Sequence, residues 1–159
     1  MVSMTDLLLS RAENELVTAT KLKEMSENSE IQKFMEIPPN MTFYSSVISH
    51  SYYAIFYAAK AILYKEGIKT DKPNVHQKTL HAFNKFLVKT GKLDKALLEI
   101  YEDIVIKAEA LLDIFSKEKG KRGEFTYETL PQANEEPAKT SLDNAKLFVS
   151  NIKKVIEKD

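Results

Sequence analysis

Arginine is nearly absent from this chain, and one of the two that occur sits in a segment rich in other reactive groups. The 159 residues hold Arg11 and Arg122 against twenty-one lysines. Arg122 lies in KGKRGEFTYET, residues 119 to 129, with Tyr127 five positions later. A guanidinium is planar, keeps its charge, and offers a fork of N–H donors that fits a carboxylate or a phosphate; a lysine ammonium is only a point charge. Choosing arginine in a lysine-rich chain is therefore a chemical signal. A plain alternative stands beside it. Lys117, Lys119, Lys121 and Arg122 follow a helical pattern, and cations at a helix C-terminus gain a fraction of a kcal/mol from the dipole.

Most other site chemistry is excluded. There is no cysteine, hence no disulfide, thiolate metal site or cysteine nucleophile. The histidines are His50, His76 and His81, with no pair four apart for a two-histidine zinc site and no Glu-x-x-His for a di-iron bundle. Neither a glycine-rich phosphate loop nor a Gly-x-Ser-x-Gly elbow occurs. No metal and no cofactor is expected. Glu99, Glu102, Asp103, Glu109 and Asp113 read as a solvated face. Twenty-three basic and twenty-three acidic residues balance, so the chain is no electrostatic glove for DNA. No signal-peptide pattern and no apolar run near the roughly 20 residues of a membrane span is seen. With the missing cysteine, this points to a cytoplasmic protein away from membranes.

The elements that must position these residues are helical. Leu8, Ala12, Leu16, Ala19 and Leu22 give a helix over 4–27, with Ser3 or Thr5 as its cap. A short amphipathic piece follows around Ile31, Phe34 and Met35, ended by Pro38 and Pro39. Residues 42–66 are apolar around most of the circumference, which suits a bundle centre or a subunit interface. Gly67 is placed to end that helix. Asn74 reads as the cap of a third helix over 75–89 with Leu80, Phe83 and Leu87 inward, and Gly91 ends it. A fourth begins at Asp94 and keeps period through Phe115. A connector spans 120–136, and Pro137 stands in the first turn of the last helix, where its missing N–H costs nothing. No stretch alternates with period two. The expectation is one domain over 1–159, an all-α, five-helix, up-and-down-like bundle.

One run carries more than helical period. SYYAIFYAAKAILYKEGIKTDKPNVHQKTLHAF resembles the signature of the HEPN domains, in particular the small stand-alone bacterial and archaeal ones. The matching residues are Tyr52, Tyr53, Ala54, Phe56, Tyr57, Ala58, Ala59, Ile62, Leu63, then Gly67 and His76. The likeness extends to the opening helix and to the late arginine, and so covers most of the chain.

The resemblance implies a function. Many members of that family are metal-independent ribonucleases that work as symmetric homodimers, with an arginine followed by a histidine. It places Arg122 in the arginine position, where it would stabilise charge on a phosphorane as a ribose 2′-hydroxyl attacks phosphorus. Here Tyr127 stands where histidine is expected, giving an Arg-x4-Tyr variant. Tyrosine titrates near 10, against about 6.5 for histidine, so it is a weaker base at neutral pH. Lys119 and Lys121 are further phosphate ligands under this reading, and Glu124 is a weaker candidate base. The expected role is an RNA-directed toxin of a toxin–antitoxin pair, restrained by a nucleotidyltransferase partner. The alternative is a non-catalytic module that binds such a partner or a nucleotide.

Overall fold

The computed structural model describes residues 1–112 and 134–158. Each helix in it begins or ends for a local reason. α1 (Met4–Glu27) starts at Ser3, whose hydroxyl oxygen accepts from the Asp6 N–H while the Asp6 carboxylate accepts from the Ser3 N–H. This capping box satisfies two otherwise orphaned donors. Asn28 ends α1 and caps the short α2 (Ser29–Phe34), accepting from the N–H groups of Glu30 and Ile31. α2 departs from expectation. None of its residues is buried, and Phe34 is 89% exposed.

α3 (Tyr44–Lys65) ends in a Schellman motif. Gly67 takes φ +80°, its N–H donates to the Tyr64 carbonyl, and Ile68 N–H donates to the Leu63 carbonyl. α4 (Val75–Phe83) follows Asn74, which has a left-handed backbone but makes no side-chain cap bond, contrary to the sequence reading. The helix expected over 75–89 is α-helical only to Phe83. It then widens into a π turn over Asn84–Val88, capped by Lys89, with Gly91 at φ +79° just beyond it. α5 (Lys95–Leu112) starts where the Asp94 carboxylate accepts from Ala96 N–H. α6 (Glu135–Lys158) begins two residues before Pro137. Pro137 still lies in the first turn, where no N–H is required. The continuation of α5 expected through Phe115 falls outside the described residues.

The bundle is assembled around α3. Thirteen of its 22 residues are buried, and α1, α4, α5 and α6 all pack on it. Its buried face is taken up within one chain, which makes it the bundle centre, while Tyr53, Tyr57 and Tyr64 stay partly exposed. Alanines let the helices close. Ala12 and Ala19 of α1, and Ala54, Ala58, Ala59 and Ala61 of α3, are fully buried. Phe83, Tyr101 and Phe148 join α4, α5 and α6 in one aromatic knot, with ring centroids 5.4–5.8 Å apart. No strand occurs among the described residues. No helix among them is long and apolar enough to cross a membrane.

Two polar side chains of α5, Tyr101 and Glu109, are buried. Glu109, assigned to a solvated face, is 2% exposed. The α5 stripe carries its end of the helix inward, so the residue's period and not its charge set its position. The Tyr101 hydroxyl is buried and makes no hydrogen bond among the described residues. Removing an unsatisfied polar group costs nothing in lost bonds. Tyr101→Phe is therefore expected to leave stability within about 0.5 kcal/mol or to raise it, as read by urea unfolding. A loss above about 2 kcal/mol would contradict the absence of a partner.

Candidate functional site

Arg122 and Tyr127, with Lys119, Lys121 and Glu124, lie outside the described residues, in the 113–133 segment between α5 and α6. The structure adds a different cluster, built from the signature that carried the family resemblance.

The cluster joins α3 to the start of α4. Tyr52, Tyr53, Phe56 and Tyr57 occupy adjacent turns of α3, so their rings share one side. Asn74, at φ +58°, turns the chain so that His76 meets that side one residue into α4. The Tyr52 hydroxyl and His76 Nδ1 are 2.8 Å apart. The imidazole also stacks on Phe56, with centroids 4.4 Å apart and planes 28° apart. Tyr53 presents its edge to the same ring. His76 stands at a helix start, where a local contact would be ordinary. Its partners are instead on α3, at least 20 residues away in the chain.

Burial sets the protonation of this pair. Tyr52 is buried, which pushes its pKa well above 10, so it keeps its proton. His76 is half-buried, and desolvation first and the Lys60 charge second hold its pKa below 6.5. In the neutral ring this favours, Nδ1 accepts from the Tyr52 hydroxyl and the ring hydrogen sits on Nε2, an assignment made from hydrogen-bond chemistry. His76 thus offers a polar, uncharged ring at neutral pH.

A pH dependence of stability follows. The unfolded chain takes up this proton at a higher pH than the folded chain. Folding carries no penalty from His76 above about 6.5, and stability falls as pH drops through 6.5 toward the folded value. The groups placed against His76 are Tyr52, which stays protonated throughout, and the Lys60 charge. His76→Gln is expected to lower the melting temperature at pH 7.5, yet to shrink its further drop at pH 5.5 relative to wild type. An equal drop in both proteins would show that His76 is not the titrating group.

His50, on α3, is paired with α1: its Nδ1 lies 2.5 Å from the Glu15 carboxylate. Arg11, which the sequence reading left unassigned, lies with its guanidinium carbon 5.7 Å from the Tyr57 ring centroid. Lys60 Nζ lies 5.6 Å from the centroid of Phe56. The signal for these placements was available in the spacing of Phe56, Tyr57 and Lys60 on one helix. Their meeting with Arg11 and His76 needed the tertiary fold.

The chain matches the HEPN domain model over residues 5–155. It is 33% identical over 112 residues to a UPF0332 protein of Thermotoga maritima, covering 70% of this chain and 72% of that one. It is 29% identical over 114 residues to a Methanocaldococcus jannaschii protein named "putative toxin", covering 72% of each. A second protein of that organism with the same description is 32% identical over 89 residues, half of this chain and 58% of the other. With the helical bundle, the α3 signature and a match that spans nearly every residue, the chain belongs to the HEPN domain family.

Proposed function

We propose that this HEPN-family chain is an RNA-directed, toxin-like protein that cleaves RNA without a metal ion, working as a homodimer. Arg122 is the phosphate ligand at the reacting centre, and Tyr127 donates a hydrogen bond beside it. Lys119 and Lys121 hold neighbouring phosphates, and Glu124 is a candidate base. The single observation that carries this reading is the HEPN match, which runs from residue 5 to 155 and so takes in the 119–127 segment. The relatives described as toxins point the same way. The reaction needs no protein nucleophile: the ribose 2′-hydroxyl gives its proton to a base as its oxygen bonds to the adjacent phosphorus, the P–O5′ bond breaks and the 5′-oxygen leaves with a proton as a hydroxyl, and a guanidinium stabilises the charged intermediate.

The test is RNA cleavage in the presence of chelator, with wild type and Arg122→Ala side by side. Cleavage by wild type that the variant lacks supports the reading. No cleavage by either protein transfers it to a second reading, which one observation favours. No histidine follows Arg122 in the chain, and Tyr127 stands five residues on. In that reading the chain is a non-catalytic module held by a nucleotidyltransferase partner or a nucleotide. Its mark is a stable complex without turnover.

A further inference from the structure

A groove runs along α3 from Phe56 to Tyr64. The first half of α1 forms one wall and the segment from Ile68 to Val75 forms the other. Its larger lobe, about 530 Å³, is bordered by Arg11, Lys60 and Lys72, with Phe56, Tyr57 and Asp71. A smaller lobe of about 250 Å³ shares Lys60 and Asp71 and adds Tyr64 and Lys69. Four cations therefore face one carboxylate, in a chain whose formal charges balance. Arg11, Lys60 and Lys72 have no carboxylate partner among the described residues, whereas Lys21, Lys23, Lys92, Lys107, Lys139 and Lys153 do.

Three of the four groove cations, Arg11, Lys60 and Lys69, are seated on aromatic rings. Arg11 lies over Tyr57, which itself stacks on Tyr53 with centroids 6.2 Å apart. Lys60 lies over Phe56, and Lys69 Nζ lies 5.6 Å from the Tyr64 centroid. Such contacts hold long side chains in place while leaving their N–H donors for another group. The far wall is fixed as well. The Thr79 hydroxyl donates to the Val75 carbonyl at 2.7 Å, so Thr70 donates to Thr79 at 2.6 Å and ties the segment to α4. The lobes join along α3 from Phe56 to Tyr64, eight steps or about 12 Å at about 1.5 Å per residue. An open trough of that length suits a strand that continues at both ends better than a small molecule that needs enclosure.

We propose that this groove binds a short single-stranded RNA segment by its phosphates, with Arg11, Lys60 and Lys72 as the ligands. The choice of polyanion rests on the RNA-directed reading, but the site is separate from Arg122 and Tyr127. Arg11 provides the two-pronged contact, and Lys60 and Lys72 provide point charges on either side of it.

The experiment uses a labelled single-stranded oligonucleotide with 2′-O-methyl groups, which cannot be cut by 2′-hydroxyl attack, and reads binding by fluorescence anisotropy across salt. Three full-length proteins are compared with wild type. The first carries Arg11→Gln, Lys60→Gln and Lys72→Gln. The second, with the same charge change, carries Lys23→Gln, Lys139→Gln and Lys146→Gln, which border a different cleft against the other half of α1. The third is Arg122→Ala. The groove variant is expected to bind about tenfold or more weakly, and its salt slope to fall by about 2, at about 0.7 for each of three phosphates. The control variant is expected to keep most of the affinity and slope. Equal losses in both lysine-rich variants, or wild-type binding by the groove variant, overturns the proposal. So does full displacement of the strand by a mononucleotide at equal phosphate concentration, which would assign the groove to a small ligand. Tyr57→Leu, which removes the seat of Arg11 and no charge, is expected to weaken binding without changing the number of lysines and arginines. The cleavage assay separates the two claims. If wild type fails to cut RNA but the groove variant alone loses binding, the groove stands and the catalytic reading falls. The converse pattern sinks the groove alone.

Discussion

Arg122→Ala is expected to lower chelator-resistant RNA cleavage by about 10²–10³-fold, equivalent to about 2.7–4 kcal/mol of transition-state stabilisation. The size follows from what the side chain would do. As the 2′-oxygen closes on phosphorus, negative charge gathers on the non-bridging oxygens. Two parallel N–H donors aimed at those oxygens are worth more in the transition state than in the ground state. Alanine removes both donors and the charge. Arg122→Lys keeps the charge and loses the fork, so it should fall between wild type and alanine. Tyr127→Phe separates ring from hydroxyl: a fall in rate assigns the hydroxyl to the chemistry, and no change assigns the ring to packing or stacking. Initial rates on cellular RNA, with melting curves to verify the fold of each variant, provide the measurement. An Arg122→Ala protein that cuts as fast as wild type ends the proposal for that residue.

The second large effect is structural. Phe148→Ala is expected to lower the unfolding free energy by about 3–5 kcal/mol, read by urea denaturation. Phe148 is fully buried and lies 5.4 Å from Phe83 and 5.8 Å from Tyr101 between ring centroids. Its loss opens a hole where three helices meet, and the two remaining rings belong to rigid helices that can close it only in part. Against a typical total of about 5–15 kcal/mol, such a change takes much of the margin. Phe34→Ala is the internal comparison. The same residue type, 89% exposed on α2, should change stability by no more than about 0.5 kcal/mol. Similar losses at both positions would mean that the 148 site is not the packed junction described here.

The contrast between these two phenylalanines shows how far the amino-acid pattern reached. Both lie in helical periodicity. Phe148 belongs to a long stripe with Leu142, Ala145, Val149 and Ile152, and long stripes identify a buried face because many residues must agree. Phe34 belongs to a six-residue helix, too short to define a face. Boundaries behaved likewise. Gly67, Gly91 and Asp94 marked real ends because each does one local job with the backbone. Asn74 was in the right place with the wrong role: it supplies a left-handed turn and no cap bond. The π turn at Asn84–Val88 left no local trace, since widening a helix is settled by what packs around it.

The chain's own letters were enough to indicate an all-α bundle and the likeness to the HEPN family, and they left the 42–66 helix between a bundle centre and a subunit interface, which packing decided. The first two depend on periodicity or on residues near one another in sequence. Tertiary structure alone decided that His76 would meet Tyr52 and Phe56. It alone brought Arg11, from the other end of the chain's first half, beside Lys60 and Lys72. It alone buried Glu109. Those outcomes depend on how helices rotate and approach, which small fully buried residues such as Ala12, Ala54 and Ala58 control by permitting close contact. A side chain's chemical type is written in the sequence, but its pKa, its partners and the charge it faces are properties of the space the other helices leave around it.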